Sequence, residues 1–94
     1  MYGTVMIGKI RGSVDDMQAR VDRWRSERGT SAGYVDTRVL VADDNRIIVC
    51  VRFNSKEEYE ALADDPRQDE WWRTQMMPLL DGEPEWVDGE WRDG

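Results

Sequence analysis

Two tryptophans stand side by side in DEWWRTQMMPLL, residues 69–80. An indole is a large apolar plate with one N–H donor, suited to stacking on a planar organic molecule. Adjacent helix positions point about 100° apart, so Trp71 and Trp72 cannot serve one face equally. Trp72 lies within about 40° of Met76 on a helical wheel, with Leu79 and Leu80 nearby, which makes it the core-facing ring. Trp71 flanks that stripe, where it closes one end of a cavity, packs on a sister subunit or broadens a packing surface. Five tryptophans in 94 residues favour an aromatic-lined cavity or an aromatic dimer interface. Met17, Met76 and Met77 add soft, adaptable wall material. Core packing explains each of these residues singly; together they fit an apolar pocket for a flat organic molecule.

Other chemistry is thin. Cys50 is the single cysteine and sits in the apolar run IIVCV, as a small buried hydrophobe. With no histidine in the chain, the usual activation of a thiol is missing. Asp43-Asp44-Asn45 lacks the spaced ligands of a calcium loop and reads as a turn. No metal site is expected. Gly3 and Gly8 open no phosphate-binding strand-to-helix turn. Asp64, Asp65, Asp69 and Glu70 form a solvated acidic patch that favours the start of the helix after it.

Charge and length narrow the partners. A net charge of −7 counts against nucleic acid, because Arg11, Arg20, Arg23, Arg25 and Arg28 are interleaved with acids rather than clustered. No apolar run approaches the ~20 residues that span a bilayer, and residues at the start of the sequence do not set a basic region before an apolar one, so no secretory leader is expected. The expectation is one cytoplasmic domain over residues 1–94. A chain this short buries a modest core, and sharing apolar surface with a second copy would add to it.

The elements that must position these residues follow from periodicity. Residues 2–11, YGTVMIGKIR, form a first strand with Val5, Ile7 and Lys9 on one face and Thr4, Met6, Gly8 and Ile10 on the other. Ser13 caps a helix from Val14 to Arg28 whose apolar seam is Val14, Met17, Val21 and Trp24; Gly29 stops it. Residues 33–53 make a hairpin turning at Asp43-Asp44-Asn45, with Ile47, Val49, Val51 and Phe53 on one face. Ser55 and Glu58 form a capping box for a helix over 54–62, and Asp64-Asp65-Pro66 punctuates it. A further helix runs from Arg67 to Met77, ended by Pro78. PEWVDGEW (84–91) is a weaker last strand, with the tail from Asp88 to Gly94 expected to fray.

The order β-α-β-β-α-β is the ferredoxin-like α+β arrangement, a four-stranded antiparallel sheet with helices on one face. Apolar residues on the uncovered face then call for a partner, and a homodimer through the sheets supplies one.

This order, the length and the segment FNSKEEYEALADDPRQDEWWRTQMMPLL resemble the antibiotic-biosynthesis-monooxygenase family of dimeric α/β barrels. The resemblance implies two sheets paired face to face, and in each monomer a cavity between sheet and helices. It implies oxidation of phenolic or anthrone-like polyketides by molecular oxygen, without metal or flavin cofactors. In family enzymes the segment after the third strand supplies an Asn, a Trp and a Tyr or Arg to the cavity. The matching candidates here are Asn54, Tyr59, Trp72 and Arg73, with Trp71, Trp72, Met76 and Met17 as substrate-binding wall. Asn54 would hydrogen-bond a substrate oxygen or simply precede the Ser55 cap; Tyr59 would donate to a carbonyl or pack beneath the helix.

The departures are specific. No histidine is present, which counts against the histidine-ligated haem-degrading branch, and the first strand offers Tyr2 and Thr4 but no Asn. A base would have to be a desolvated carboxylate such as Glu70 or Asp36. The expectation is a cofactor-independent monooxygenase acting on an apolar aromatic or polyketide-like small molecule. The alternatives are a non-catalytic binder or cyclase-like protein of the same fold, and a structural homodimer without a ligand.

Overall fold

A computed structural model describes residues 1–94. Four strands, β1 (Tyr2–Lys9), β2 (Tyr34–Val41), β3 (Arg46–Phe53) and β4 (Glu85–Glu90), form one antiparallel sheet in the order β2-β3-β1-β4. Helices α1 (Val14–Arg28), α2 (Lys56–Ala63) and α3 (Pro66–Trp71) cover one face. This is the ferredoxin-like topology. No helix is long and apolar enough to cross a membrane.

Local chemistry sets the boundaries. The Ser13 hydroxyl accepts the Asp16 N–H at 3.0 Å and starts α1. Gly29, at φ 73°, ends it by donating its N–H to the Arg25 carbonyl at 2.7 Å. In the β2–β3 turn, Asn45 takes φ 66°, a left-handed value that asparagine tolerates. Ser55 accepts the Glu58 N–H at 3.3 Å and donates back to its carboxylate at 2.9 Å, the side-chain pair that opens α2. Asp65 caps α3 through the Arg67 N–H, with Pro66 in the first turn where its missing N–H costs nothing.

Strand parity sorts the side chains. Thr4 and Met6 of β1, Ile47 and Phe53 of β3, and Trp86 of β4 face the helices. Ile47 and Phe53 are fully buried, and Met6, Met17, Met76, Leu79 and Leu80 complete the core. The opposite face has no helix over it. It carries Val5 opposite Cys50, Ile7 opposite Ile48, and Leu40 and Val87, which are 60% and 51% exposed.

Four features depart from the sequence reading. The last helix does not run regularly to Met77: α3 ends at Trp71, widens to a π turn over Trp72–Met76 and tightens to a 3-10 turn over Met77–Leu79. The Met77 N–H reaches back five residues to the Trp72 carbonyl, inserting one extra residue into that turn. The first strand ends at Lys9, leaving Ile10 in a single bridge to Leu80. Cys50 is half-buried on the open sheet face, not in the core. The expected fraying past Asp88 is absent to Trp91, because β4 pairs through Glu90 and the Trp91 indole N–H donates to the Val51 carbonyl at 3.0 Å.

Candidate functional site

A cavity of about 460 Å³ lies between the covered sheet face and the helices. The seam of α1 roofs it with Val14, Met17, Val21 and Trp24, each one turn beyond the last. Val49, Val51 and Phe53 of β3 form its floor beside Thr4 and Met6. Two aromatic pairs frame it. Trp24 and Trp71 stack with centroids 5.0 Å apart and planes inclined by 22°, while Trp72 meets Trp86 edge-on at 5.1 Å. A larger, more open groove shares Trp24, Gly29, Thr30, Ser31, Leu62 and Gln68 with the cavity and leads from it toward solvent.

The adjacent tryptophans both contribute. Trp71 closes the α3 helix and Trp72 opens the π turn, and both are half-buried wall residues. Each ring finds a separate partner, one on α1 and one on β4, so neither is wasted on solvent.

Polar groups enter the wall at two places. At the first, the Tyr59 hydroxyl donates to Asp88 Oδ1 at 3.1 Å, and its ring packs edge-on against Phe53 at 5.7 Å. Burial, with the neighbouring Asp88 carboxylate, pushes the Tyr59 phenol up to about 12. The group therefore stays protonated near neutral pH and acts as a donor, not a base. Thr4 lies in the same wall and donates to the Val87 carbonyl at 3.3 Å.

The second place was not singled out from the sequence. Arg25 Nη2 donates to the Tyr34 hydroxyl at 2.8 Å and to Thr37 Oγ1 at 3.2 Å, and the two hydroxyls share a hydrogen bond of 2.5 Å. The guanidinium carbon also lies 5.2 Å from the Tyr34 ring centroid, within cation–π range. Residues 34 and 37 would face opposite sides of a regular strand. A bulge between Tyr34 and Asp36 shifts the register by one residue and turns both hydroxyls into the cavity.

Of the residues expected at the site, Met17, Tyr59, Trp71, Trp72 and Met76 all line this cavity. Asn54 and Arg73 do not, nor does Met77, which packs against the core instead. Asn54 is exposed, and its backbone N–H donates to the Gly33 carbonyl at 2.8 Å. Arg73 is exposed and pairs with Asp69 at 3.0 Å along the helix. Neither carboxylate considered as a base reaches the cavity. Glu70 is exposed, and Asp36 lies on the open sheet face, where hydrogen bonds from Arg52 hold its carboxyl below the usual range. Trp24, Arg25, Tyr34, Thr37 and Trp86 are the additions the structure makes to the wall.

Neither a family model nor a curated protein matches the sequence. Solved structures do match, over nearly the whole chain. SnoaB, a cofactor-independent oxygenase from Streptomyces nogalater, superposes with a TM-score of 0.77 at 14% identity, covering 99% of this chain and 94% of its own. The ActVA-Orf6 monooxygenase of Streptomyces coelicolor, in complex with the ligand Nanaomycin D, gives 0.72 at 19% identity, covering 99% and 88%. MhuD, with two manganese protoporphyrin IX molecules bound per active site, gives 0.69 at 17% identity, covering 96% and 93%. At these identities the likeness is one of fold, and it places the chain's architecture with the antibiotic-biosynthesis monooxygenases, as the sequence resemblance implied.

Proposed function

We propose that this protein is a cofactor-independent monooxygenase that oxidises an aromatic or polyketide-like small molecule with molecular oxygen. The observation that carries the reading is the cavity of about 460 Å³ framed by four tryptophans, a size and lining that suit a flat polycyclic ligand. The oxygenase fold of the similar structures supports the choice of chemistry. For an anthrone, the step converts a ring CH₂ and O₂ into a ring C=O and water. The substrate supplies both electron pairs once it has lost a proton. The indoles hold the ring plane and exclude water, and Met17 and Met76 fill around its edge. Tyr59, a neutral phenol whose one proton goes to Asp88, would bind a substrate oxygen by turning that donor from the exposed carboxylate to the ligand.

The cavity holds no histidine, and the one carboxylate in its lining, Asp69, is engaged by Arg73. The substrate must therefore be acidic enough to yield its proton to water. Oxygen-electrode assays with 1,8-dihydroxyanthrone, corrected for its spontaneous oxidation, test the reading. The expected result is protein-dependent uptake of one O₂ per quinone formed, lost in Trp72→Ala. Saturable quenching of tryptophan fluorescence without uptake would leave a non-catalytic binder or cyclase-like protein; no binding at all would leave a structural homodimer.

The proposal includes a cytoplasmic homodimer paired through the open sheet face, which the exposed Leu40 and Val87 beside Val5, Ile7 and Ile48 support. Sedimentation equilibrium on wild type and Ile48→Glu tests it. Pairing predicts a dimer that the buried charge converts to monomer.

A further inference from the structure

The geometry points to an oxyanion-binding subsite made by Arg25, Tyr34 and Thr37, which takes the negative oxygen of an aromatic ligand, as carboxylate or as phenolate. The inference rests on the aromatic cavity proposed above and names what its ligand must carry.

Three observations converge on it. Arg25 is the one cation lining the cavity, is half-buried and takes part in none of the chain's ion pairs. Other arginines, Arg20, Arg23 and Arg28 among them, also lack an ion pair, but Arg25 alone carries its unpaired charge into the cavity wall. Its neighbours on the wall are two hydroxyls and a π face, which hold the guanidinium in place without neutralising it. Guanidinium presents five N–H donors, and both of the Arg25 side-chain hydrogen bonds come from Nη2, so the rest of its fork is available. The β2 bulge that aims both hydroxyls at this point costs a ladder position, a distortion often found beside functional sites.

The surroundings add weight. The only acid in the lining, Asp69, already accepts from Arg73 at 3.0 Å and stands on α3 rather than beside Arg25. The mouth shared with the outer groove begins at Gly29, at the C-terminal end of α1 that Arg25 occupies, so a charged ligand meets the guanidinium near entry. A fixed cation also compensates for the missing base. An opposite charge within ~4–6 Å lowers a phenol's pKa, so the site would hold an acidic substrate as its anion, with the proton passing to water.

Three naphthalenes test the subsite, with binding read by tryptophan quenching on wild type, Arg25→Gln and Arg25→Lys. The neutral 2-methoxynaphthalene reports the aromatic cavity, 2-naphthoate the carboxylate and 2-naphthol the phenolate, whose absorbance reads its own ionisation. The expectation is that Arg25→Gln weakens 2-naphthoate about tenfold or more, or returns the bound 2-naphthol pKa upward by about one unit or more. Over the same substitution 2-methoxynaphthalene changes less than about twofold. Whichever anion responds identifies the ligand class. Arg25→Lys, which keeps the charge, retains more of the effect than Arg25→Gln, and matched thermal melts separate binding from misfolding. Equal weakening of all three ligands would make Arg25 a structural residue and overturn the subsite. An unchanged response to both anions would do the same. Failure of 2-methoxynaphthalene to bind even wild type would remove the aromatic cavity itself, and the subsite with it.

Discussion

Replacing Tyr59 by Phe should make the protein's alkaline stability profile diverge from wild type in a defined direction. Near neutral pH the variant loses one hydrogen bond, from the phenol to Asp88 Oδ1 at 3.1 Å. The acceptor is solvent-exposed, so the net loss is about 1 kcal/mol. In a domain of this length that lowers Tm by roughly 4–8 °C. At higher pH a second effect enters. The folded chain keeps the Tyr59 proton until about pH 12, whereas the unfolded chain releases it near the ordinary tyrosine value of 10.0. Between those values the native state binds more protons, so wild-type stability is fully present below pH 10 and is lost as pH rises toward 12.

For fully shielded groups this linkage would cost about 1.4 kcal/mol at pH 11. Tyr59 is half-buried, and solvent screening reduces the figure to roughly half. The variant has no phenol to ionise, so its advantage lost near neutrality is largely regained. Thermal melts of both proteins from neutral pH to pH 11, followed by circular dichroism, should show two curves that converge. Tyr2 and Tyr34 remain in both proteins and cancel in the difference. The wild-type minus variant difference in near-ultraviolet titration of the folded proteins should show the Tyr59 phenol ionising late. Parallel melting curves would refute the reasoning, because the wall around Tyr59 would then not be dry enough to discriminate phenol from phenolate.

Three further substitutions check the scaffold. Phe53→Leu leaves a small void and removes two edge-on aromatic contacts, with Tyr34 and Tyr59, and should cost about 2 kcal/mol in urea denaturation. Gly3→Ala would drive a methyl into the Val51 carbonyl and to within 2.6 Å of the Trp91 indole nitrogen; it should destabilise by roughly 1–3 kcal/mol and leave Trp91 more quenchable by acrylamide. Arg52→Gln removes the hydrogen bonds that hold the Asp36 carboxyl low. The wild-type advantage should be present at neutral pH and close as pH falls below the usual carboxylate range, measured by acid titration of the melting temperature.

Most of the fold was legible because its signals are local. Ser13 and Gly29 bracket α1 at both ends, and the alternation Ile47, Val49, Val51, Phe53 assigns the inner face of β3 without reference to any other element. What escaped depends on contacts between elements. The spacing from Trp72 to Met76 is helical in the sequence, yet the turn opens to π geometry, where Trp72 packs edge-on against Trp86 in the cavity wall and Met76 reaches the core. The β2 bulge at Val35 leaves no mark in the run YVDTRVLV, since it exists only in the pairing with β3.

The candidate site residues divide along the same line, and residue spacing explains which of them reach the cavity. Phe53 is the last inward residue of β3, so a strand period of two already turns Asn54 away from the helices. Arg73 stands four residues after Asp69, the spacing of a surface ion pair, and that is how it is used. Arg25 obeys the opposite logic. It follows Val21 by four residues, as Val21 follows Met17, and so continues an apolar row that points at the sheet. Grouping it with Arg20, Arg23 and Arg28 as one interleaved, solvated set hid this difference. Arg20 bonds the Gln75 carbonyl at the surface and Arg28 lies over Trp24, whereas Arg25 carries its charge into the space the row covers. A cation at that position costs desolvation energy unless something there answers it. Two hydroxyls satisfy part of its fork and none of its charge, so the same row that builds the apolar roof defines where an anionic ligand oxygen belongs.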